Sequence, residues 1–279
     1  TKMHVQFDIG IAGPLAGFVV SFLVLIVGFA TLPGPEFIFE FGGHENTKAY
    51  VNQYGSWPDE ILDKNEIGVL IVGDTLLYNF LASFFDNVPP MWEMYHFPLL
   101  FAGWLGLFFT ALNLMPVGQL DGGHVLYSLI GFEKHRTVAR IFYIGLTALA
   151  GISAIPMLHD ALAEIDNMFA TVSWLVWASL LLVLMTSAMN KDQQWTAIGW
   201  ATSLLFTAVY IYLIDPQRDY NGNAVWIFWI VLLTYLIKIE HPPVLKEEPL
   251  SPARRVLGWV SMIIFILCIS PNPISIVTQ

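Results

Sequence analysis

Asn113-Leu-Met-Pro-Val-Gly-Gln-Leu-Asp-Gly-Gly-His124 breaks into a long apolar region, and its reading decides how the chain is organised. Pro116 cannot continue a helix, and Gly118, Gly122 and Gly123 release the backbone from helical geometry. The uncharged run Phe97 to Leu114 leads directly into it, so this break lies at the mouth of a membrane span. Backbone unwound at that depth is tolerated only against protein or a water-filled cavity, and an ionisable residue there is a functional candidate by default. Asp121 offers a hard anionic oxygen to a divalent metal, and His124, three residues on, offers a nitrogen. Two such groups do not fill a four-coordinate zinc site. A quieter reading stands beside this one: Asp121 caps a helix running from Gly122 through Gly131, and His124 hydrogen-bonds within a helical bundle.

Outward from this stretch the chain is built of similar apolar runs: Pro14 to Leu32, Phe97 to Leu114, Val138 to Pro156, Phe169 to Ala188, Trp195 to Ile214, Ala224 to Ile239 and Val256 to Ser270. A run of about 20 residues covers the roughly 30 Å of a bilayer core as a helix. The expectation is therefore an all-α, polytopic transmembrane bundle of about seven spans, with a partly unwound helix end at the quoted motif. Composition agrees. Of 279 residues only 12 % are charged and 56 % are hydrophobic, with a mean hydropathy of +0.63, more apolar surface than one soluble core can hide. The net charge of −10 argues against a nucleic-acid partner. The single cysteine, Cys268, excludes a disulfide framework or a cysteine-based zinc site.

Seven spans also sort the charges. Nine of the twelve basic residues, among them Arg136, Arg140, Arg254 and Arg255, fall on the side of Asp121, whereas fifteen of the twenty-two acidic residues fall on the other. The tendency of basic residues to stay inside makes the Asp121 side cytoplasmic, in a multi-pass protein of the plasma or inner membrane. Two parts are expected, a catalytic-core-like part over residues 1–156 and C-terminal helices over 157–279. The large loop Pro33 to His96 is non-cytoplasmic, and its stretch Ile67 to Phe85 reads either as an amphipathic, partly re-entrant or surface-lying segment or as a helix packed on the bundle. Gly10, Gly13 and Gly17 give the first span a small-residue packing face. Asp8 reads as a helix cap, His241-Pro242-Pro243 as a turn with membrane-surface charges, and His4, His96, His135 and His159 as having no partner at metal-ligand spacing.

The string NLMPVGQLDGGH resembles the second signature of the site-2 protease family of intramembrane zinc metalloproteases, an Asn-x-x-Pro followed by Leu-Asp-Gly. FDIGIAGPLAGF from Phe7 to Phe18 and the segment His241 to Ile274 are similar to flanking parts of bacterial and archaeal members. The resemblance implies Zn²⁺ as cofactor, with Asp121 as its carboxylate ligand and Asn113 donating its amide to the oxyanion of the scissile carbonyl. It also implies that Pro116, Gly122 and Gly123 shape the approach; the motif matches at His124 as well, as a candidate for site support whose role, structural or catalytic, it leaves open. Substrates would be transmembrane proteins, met within the lipid bilayer. Two further zinc ligands and the general base come in that family from a His-Glu-x-x-His helix. No such motif occurs here, since His44-Glu45 is followed by Asn46, Thr47 and Lys48. The start at Thr1 within the family pattern points to a piece of a longer protein, itself inactive alone. The alternatives are an inactive family member that binds membrane proteins, and a transporter or channel using Asn113, Asp121 and His124 for an ion or protons.

Overall fold

An apolar run can satisfy its own amides only as a helix, and the helices follow the runs closely. The computed structural model describes residues 3–63, 69–214, 224–243 and 249–277. Its helices in chain order are α1 Met3–Ala30, α2 Glu45–Tyr54, α3 Leu76–Ala82, α4 Pro98–Asn113, α5 Asp121–Ile130, α6 Phe132–Ala163, α7 Asn167–Ala170, α8 Ser173–Ala188, α9 Gln193–Val209, α10 Ala224–Leu232 and α11 Pro252–Cys268. Short π-helical turns extend α9 to Ile214 and α10 to Ile237. Three helices are long and apolar enough to cross a membrane: α1, α6, and α9 with its extension. Helices α4, α8 and α10 with its extension are apolar but shorter. The described residues are thus largely helical, with three candidate membrane-spanning helices among them.

The all-α expectation needs one correction. Strand β1, Val69–Val72, pairs antiparallel with β2, Ile274–Val277, with Leu70 opposite Ile276 and Ile71 opposite Ser275. Both strands are short runs rich in β-branched residues, which suit an extended ladder better than a helix. In its described part the stretch Ile67 to Phe85 is therefore not a single packed helix. Within its described part, β1 gives way to α3, whose first turn is capped by Thr75 accepting from the Tyr78 amide at 3.1 Å.

The chain divides into two compact units, Thr1–Pro14 with Asn113–Ile264, and Leu15–Leu112 with Phe265–Gln279. In the first, α6 packs against α5, α7, α8, α9 and α10. Small polar side chains join it to α9 and α10. Thr147 and Ser203 lie 2.6 Å apart, Thr207 donates to the Ala148 carbonyl, and the Tyr143 hydroxyl meets Thr234 at 2.6 Å. Polar contacts of this kind hold helices together where lipid removes the hydrophobic drive.

In the second unit α1 and α4 approach closely through glycines. A Cβ at Gly103 would crowd Leu25, and one at Gly28 would crowd Leu100. Gly17 lies 3.4 Å from Thr110 by the same measure, so part of the small-residue face does pack, while Gly13 meets nothing within 4 Å among the described residues.

Candidate active site at the turn between helices α4 and α5

Helix α4 ends at Asn113, and α5 begins at Asp121. Between them the backbone is non-helical, with Leu114, Met115 and Val117 wholly buried. The glycines explain how such a turn fits. A Cβ on Gly122 would collide with the Leu114 carbonyl, and one on Gly123 would lie 2.6 Å from the Val117 oxygen. The turn therefore folds back over the first residues of α5, and only hydrogen can occupy the space. Gly118 adopts φ +55°, where side chains are disfavoured, and its amide donates to the Ile239 carbonyl at 2.9 Å.

Asp121 is the first helical residue of α5, and Leu120 occupies the cap position without a side-chain hydrogen bond. The capping reading of Asp121 thus gives way to a carboxylate in the first turn, where the helix dipole favours negative charge. Its carboxyl is half-buried, and burial pushes its pKa above the ordinary value. Asn113 is exposed, Pro116 is buried, and Gly10 of α1 sits against the turn, 3.1 Å from the Asp121 carbonyl by its hypothetical Cβ.

Tertiary structure adds a residue that sequence reading had left as a simple turn. His241 is 2 % exposed, and its Nε2 lies 2.8 Å from Nδ1 of His124. His241 Nδ1 donates to the Pro242 carbonyl at 2.6 Å, so in the neutral ring Nε2 is the acceptor and His124 Nδ1 the donor. Nε2 of a neutral His124 then carries its lone pair. Burial lowers the pKa of both imidazoles, which favours these neutral forms. Tyr127 and buried His135 flank His241, at ring separations of 4.5 and 6.0 Å. A cleft of about 360 Å³ opens alongside, bounded in part by Gln119, Phe132, Lys238 and Pro243.

The segment that carries His241 is itself anchored by charge. Arg140, 3 % exposed, donates to Glu240 at 2.6 and 2.8 Å and to Asp192 at 2.9 Å. Arg136 and Asn190 complete the set around Glu240, at 3.2 and 3.0 Å. Asp8, expected to cap α1, instead takes two hydrogen bonds from Arg254 at 2.7 and 2.8 Å. Every one of these charged partners falls on the side assigned as cytoplasmic from sequence.

The fit to a resident metal is incomplete within this chain. Among the described residues the one group of three metal-ligating side chains with converging atoms is His44, Glu93 and His96, in the other unit, and Asp121 is not part of it. That group also overturns the expectation that His96 lacks a partner at ligand spacing: its Nε2 lies 3.1 Å from that of His44.

Comparison with known proteins agrees with the motif. The model of peptidase family M50 matches residues 2–152. The chain is 30 % identical over 153 residues to a protein described as probable zinc metalloprotease EGY1, chloroplastic, from Oryza sativa subsp. japonica, covering 54 % of this chain and 23 % of that protein. It is equally similar to the Arabidopsis thaliana protein of the same description, with 24 % of it covered. A probable zinc metallopeptidase EGY3, chloroplastic, from Arabidopsis thaliana is 40 % identical over 58 residues, 21 % of this chain and 9 % of that protein. The chain thus spans about a quarter of the length of the first two relatives. No solved structure matches. With the Asn-x-x-Pro and Leu-Asp-Gly-Gly-His turn inside the matched region, the chain belongs to peptidase family M50.

Proposed function

We propose that this chain forms part of an intramembrane zinc metalloprotease that hydrolyses peptide bonds of membrane-spanning substrates. The observation that carries the reading is the glycine-dependent turn, which sets the half-buried Asp121 carboxylate at the start of α5 and leaves Asn113 exposed at the end of α4. Asp121 would supply one carboxylate to zinc, whose chemistry when bound is to polarise a carbonyl and lower the pKa of water. The described residues around Asp121 do not complete a zinc site, so the remaining ligands and the base would be supplied from elsewhere in the full-length protein.

What the chain's own residues would do follows from their placement. Asn113 would donate its amide to the carbonyl oxygen as negative charge develops there. His124, oriented by His241, would hold a proton acceptor on its Nε2. The half-open, partly unwound turn would receive a substrate helix only after it has unwound, because a helical amide is hydrogen-bonded within itself. The active turn would face the cytoplasmic side or its equivalent, as the basic residues indicate.

The test uses the full-length polypeptide. Asp121→Ala should lower bound zinc by one equivalent and abolish cleavage of a single-span substrate, while Asn113→Ala should cut turnover with zinc retained. Cleavage that persists in Asp121→Ala overturns the assignment.

A further inference from the structure

The loop Pro33 to His96 carries a second constellation that the proposed protease chemistry does not use. Helix α2 starts from His44, whose backbone sits at φ +59°, ψ +34° in the left-handed region. A residue with a Cβ pays a penalty there, and its retention calls for a compensating role of the side chain. The conformation accompanies an inward imidazole: His44 is 7 % exposed, with Nδ1 3.4 Å from Glu93 Oε1 and Nε2 3.1 Å from His96 Nε2. Glu93, 3 % exposed, precedes a 3-10 turn, Met94–His96, and His96 ends it, with 3.7 Å between Glu93 Oε2 and His96 Nε2. One ligand atom from each of the three residues lies within 4.8 Å of the others.

We propose that His44, Glu93 and His96 form a structural divalent-cation site, with zinc as the ion its chemistry fits. Tetrahedral coordination at metal–ligand distances of about 2.0–2.1 Å sets ligand atoms roughly 3.3 Å apart. The separations of 3.1 Å between imidazoles and 3.7 Å between His96 and Glu93 bracket that value. Two imidazoles and one carboxylate select zinc and its transition-metal neighbours over magnesium or calcium, which prefer oxygen alone. A water would complete the coordination. Two Nε2 atoms at hydrogen-bond distance can also share a proton without a metal, and the experiment separates the two cases.

The site differs from the proposed catalytic centre in residues, in unit and in purpose. His44 and His96 are 52 residues apart, so a cation there closes nearly the whole loop. Cross-linking a chain at such separation restricts its unfolded state and favours the folded loop. Phe41 stacks near His96 at a ring separation of 3.9 Å and walls one side of the cluster.

The purified 279-residue chain in detergent, carrying Asp121→Ala to remove any contribution of the other centre, is dialysed against micromolar zinc and its metal content measured. One equivalent is expected, with Co²⁺ giving the visible absorption of tetrahedral coordination and Mg²⁺ giving no binding. His44→Asn, which tolerates the left-handed backbone, and His96→Gln should each abolish stoichiometric binding and the zinc-dependent rise in melting temperature. Glu93→Gln, nearly the same shape, should weaken binding at least tenfold and serves if either histidine variant misfolds. No zinc bound by the Asp121→Ala chain, or undiminished binding in the variants, overturns the proposal. Loss of protease activity in Asp121→Ala bears on the other site alone.

Discussion

Adding one methyl group at Gly122 tests whether the turn is built as described. The new Cβ would overlap the Leu114 carbonyl and come within 2.7 Å of the Leu114 Cα. Carbon atoms pack at about 3.5–4.0 Å, so the Leu114 backbone must retreat by roughly 1 Å. It has little room, because Leu114, Met115 and Val117 are fully buried. Overpacking of this kind costs about 1–3 kcal/mol, and backbone as the opposing surface puts Gly122→Ala toward the upper end. Alanine's helix preference returns up to about 1 kcal/mol. The net expectation is a loss of about 2 kcal/mol.

Gly145→Ala is the matched control, since a Cβ at that exposed position of α6 meets nothing within 4 Å. It should stabilise by about 0.5–1 kcal/mol. Reversible unfolding in mixed micelles, followed by helical circular dichroism, reads both. If the full-length protein has the proposed protease activity, a shift of about 1 Å at Asp121 should also lower turnover about 100-fold. A Gly122→Ala chain as stable as the parent, or a Gly145→Ala chain equally destabilised, refutes the reasoning.

Two further substitutions probe the scaffolding on either side. Arg140→Met strands Glu240 with only Arg136 and Asn190. Breaking a buried ion pair outright costs about 3–5 kcal/mol, and these remaining partners reduce the expected loss to about 2–3 kcal/mol in the same unfolding assay. Restoration by adding Glu240→Gln would show that the stranded carboxylate, not lost packing, carries the cost. In the other unit, Asp63 receives the Asn46 and Thr47 amides at 2.9 Å and the Thr47 hydroxyl at 2.7 Å, and so caps α2 from 16 residues away. Burial tends to raise its pKa, but these hydrogen bonds outweigh it and hold the carboxyl below the ordinary value. A depressed pKa stabilises above the ordinary carboxylate range and is lost as pH falls through the folded value. Asp63→Asn should therefore cost about 1 kcal/mol at neutral pH, and the gap between variant and parent should close on acidification below that range. A gap independent of pH would mean that the charge is immaterial.

The helices and the turn before Asp121 were legible in sequence because their causes are local. An uncharged run such as Ile141 to Pro156 has one way to satisfy its amides in lipid, and α6 contains it whole. Pro116 and Gly122 act on the backbone within a few residues, so the break between Asn113 and Asp121 could be read directly. The roles proposed for Asp121 and Asn113 come from the family signature, since residue spacing alone leaves metal binding and capping both open.

What stayed hidden depends on partners far along the chain. His241 meets His124 across 117 residues, and His44 meets His96 across 52. Neither pair has a sequence periodicity, because each depends on how separate segments come together. The pairing of Val69–Val72 with Ile274–Val277 is of the same kind: each strand is four residues long, too short to declare itself until the other is beside it. The sequence by itself determined the apolar helices and the glycine turn bearing Asp121. Only the tertiary structure decided which imidazole orients His124, which arginine holds that imidazole's segment, and that three residues of the acidic loop converge on one point. Desolvation and backbone sterics act residue by residue, whereas hydrogen bonds and ligand sets need two or more segments in register.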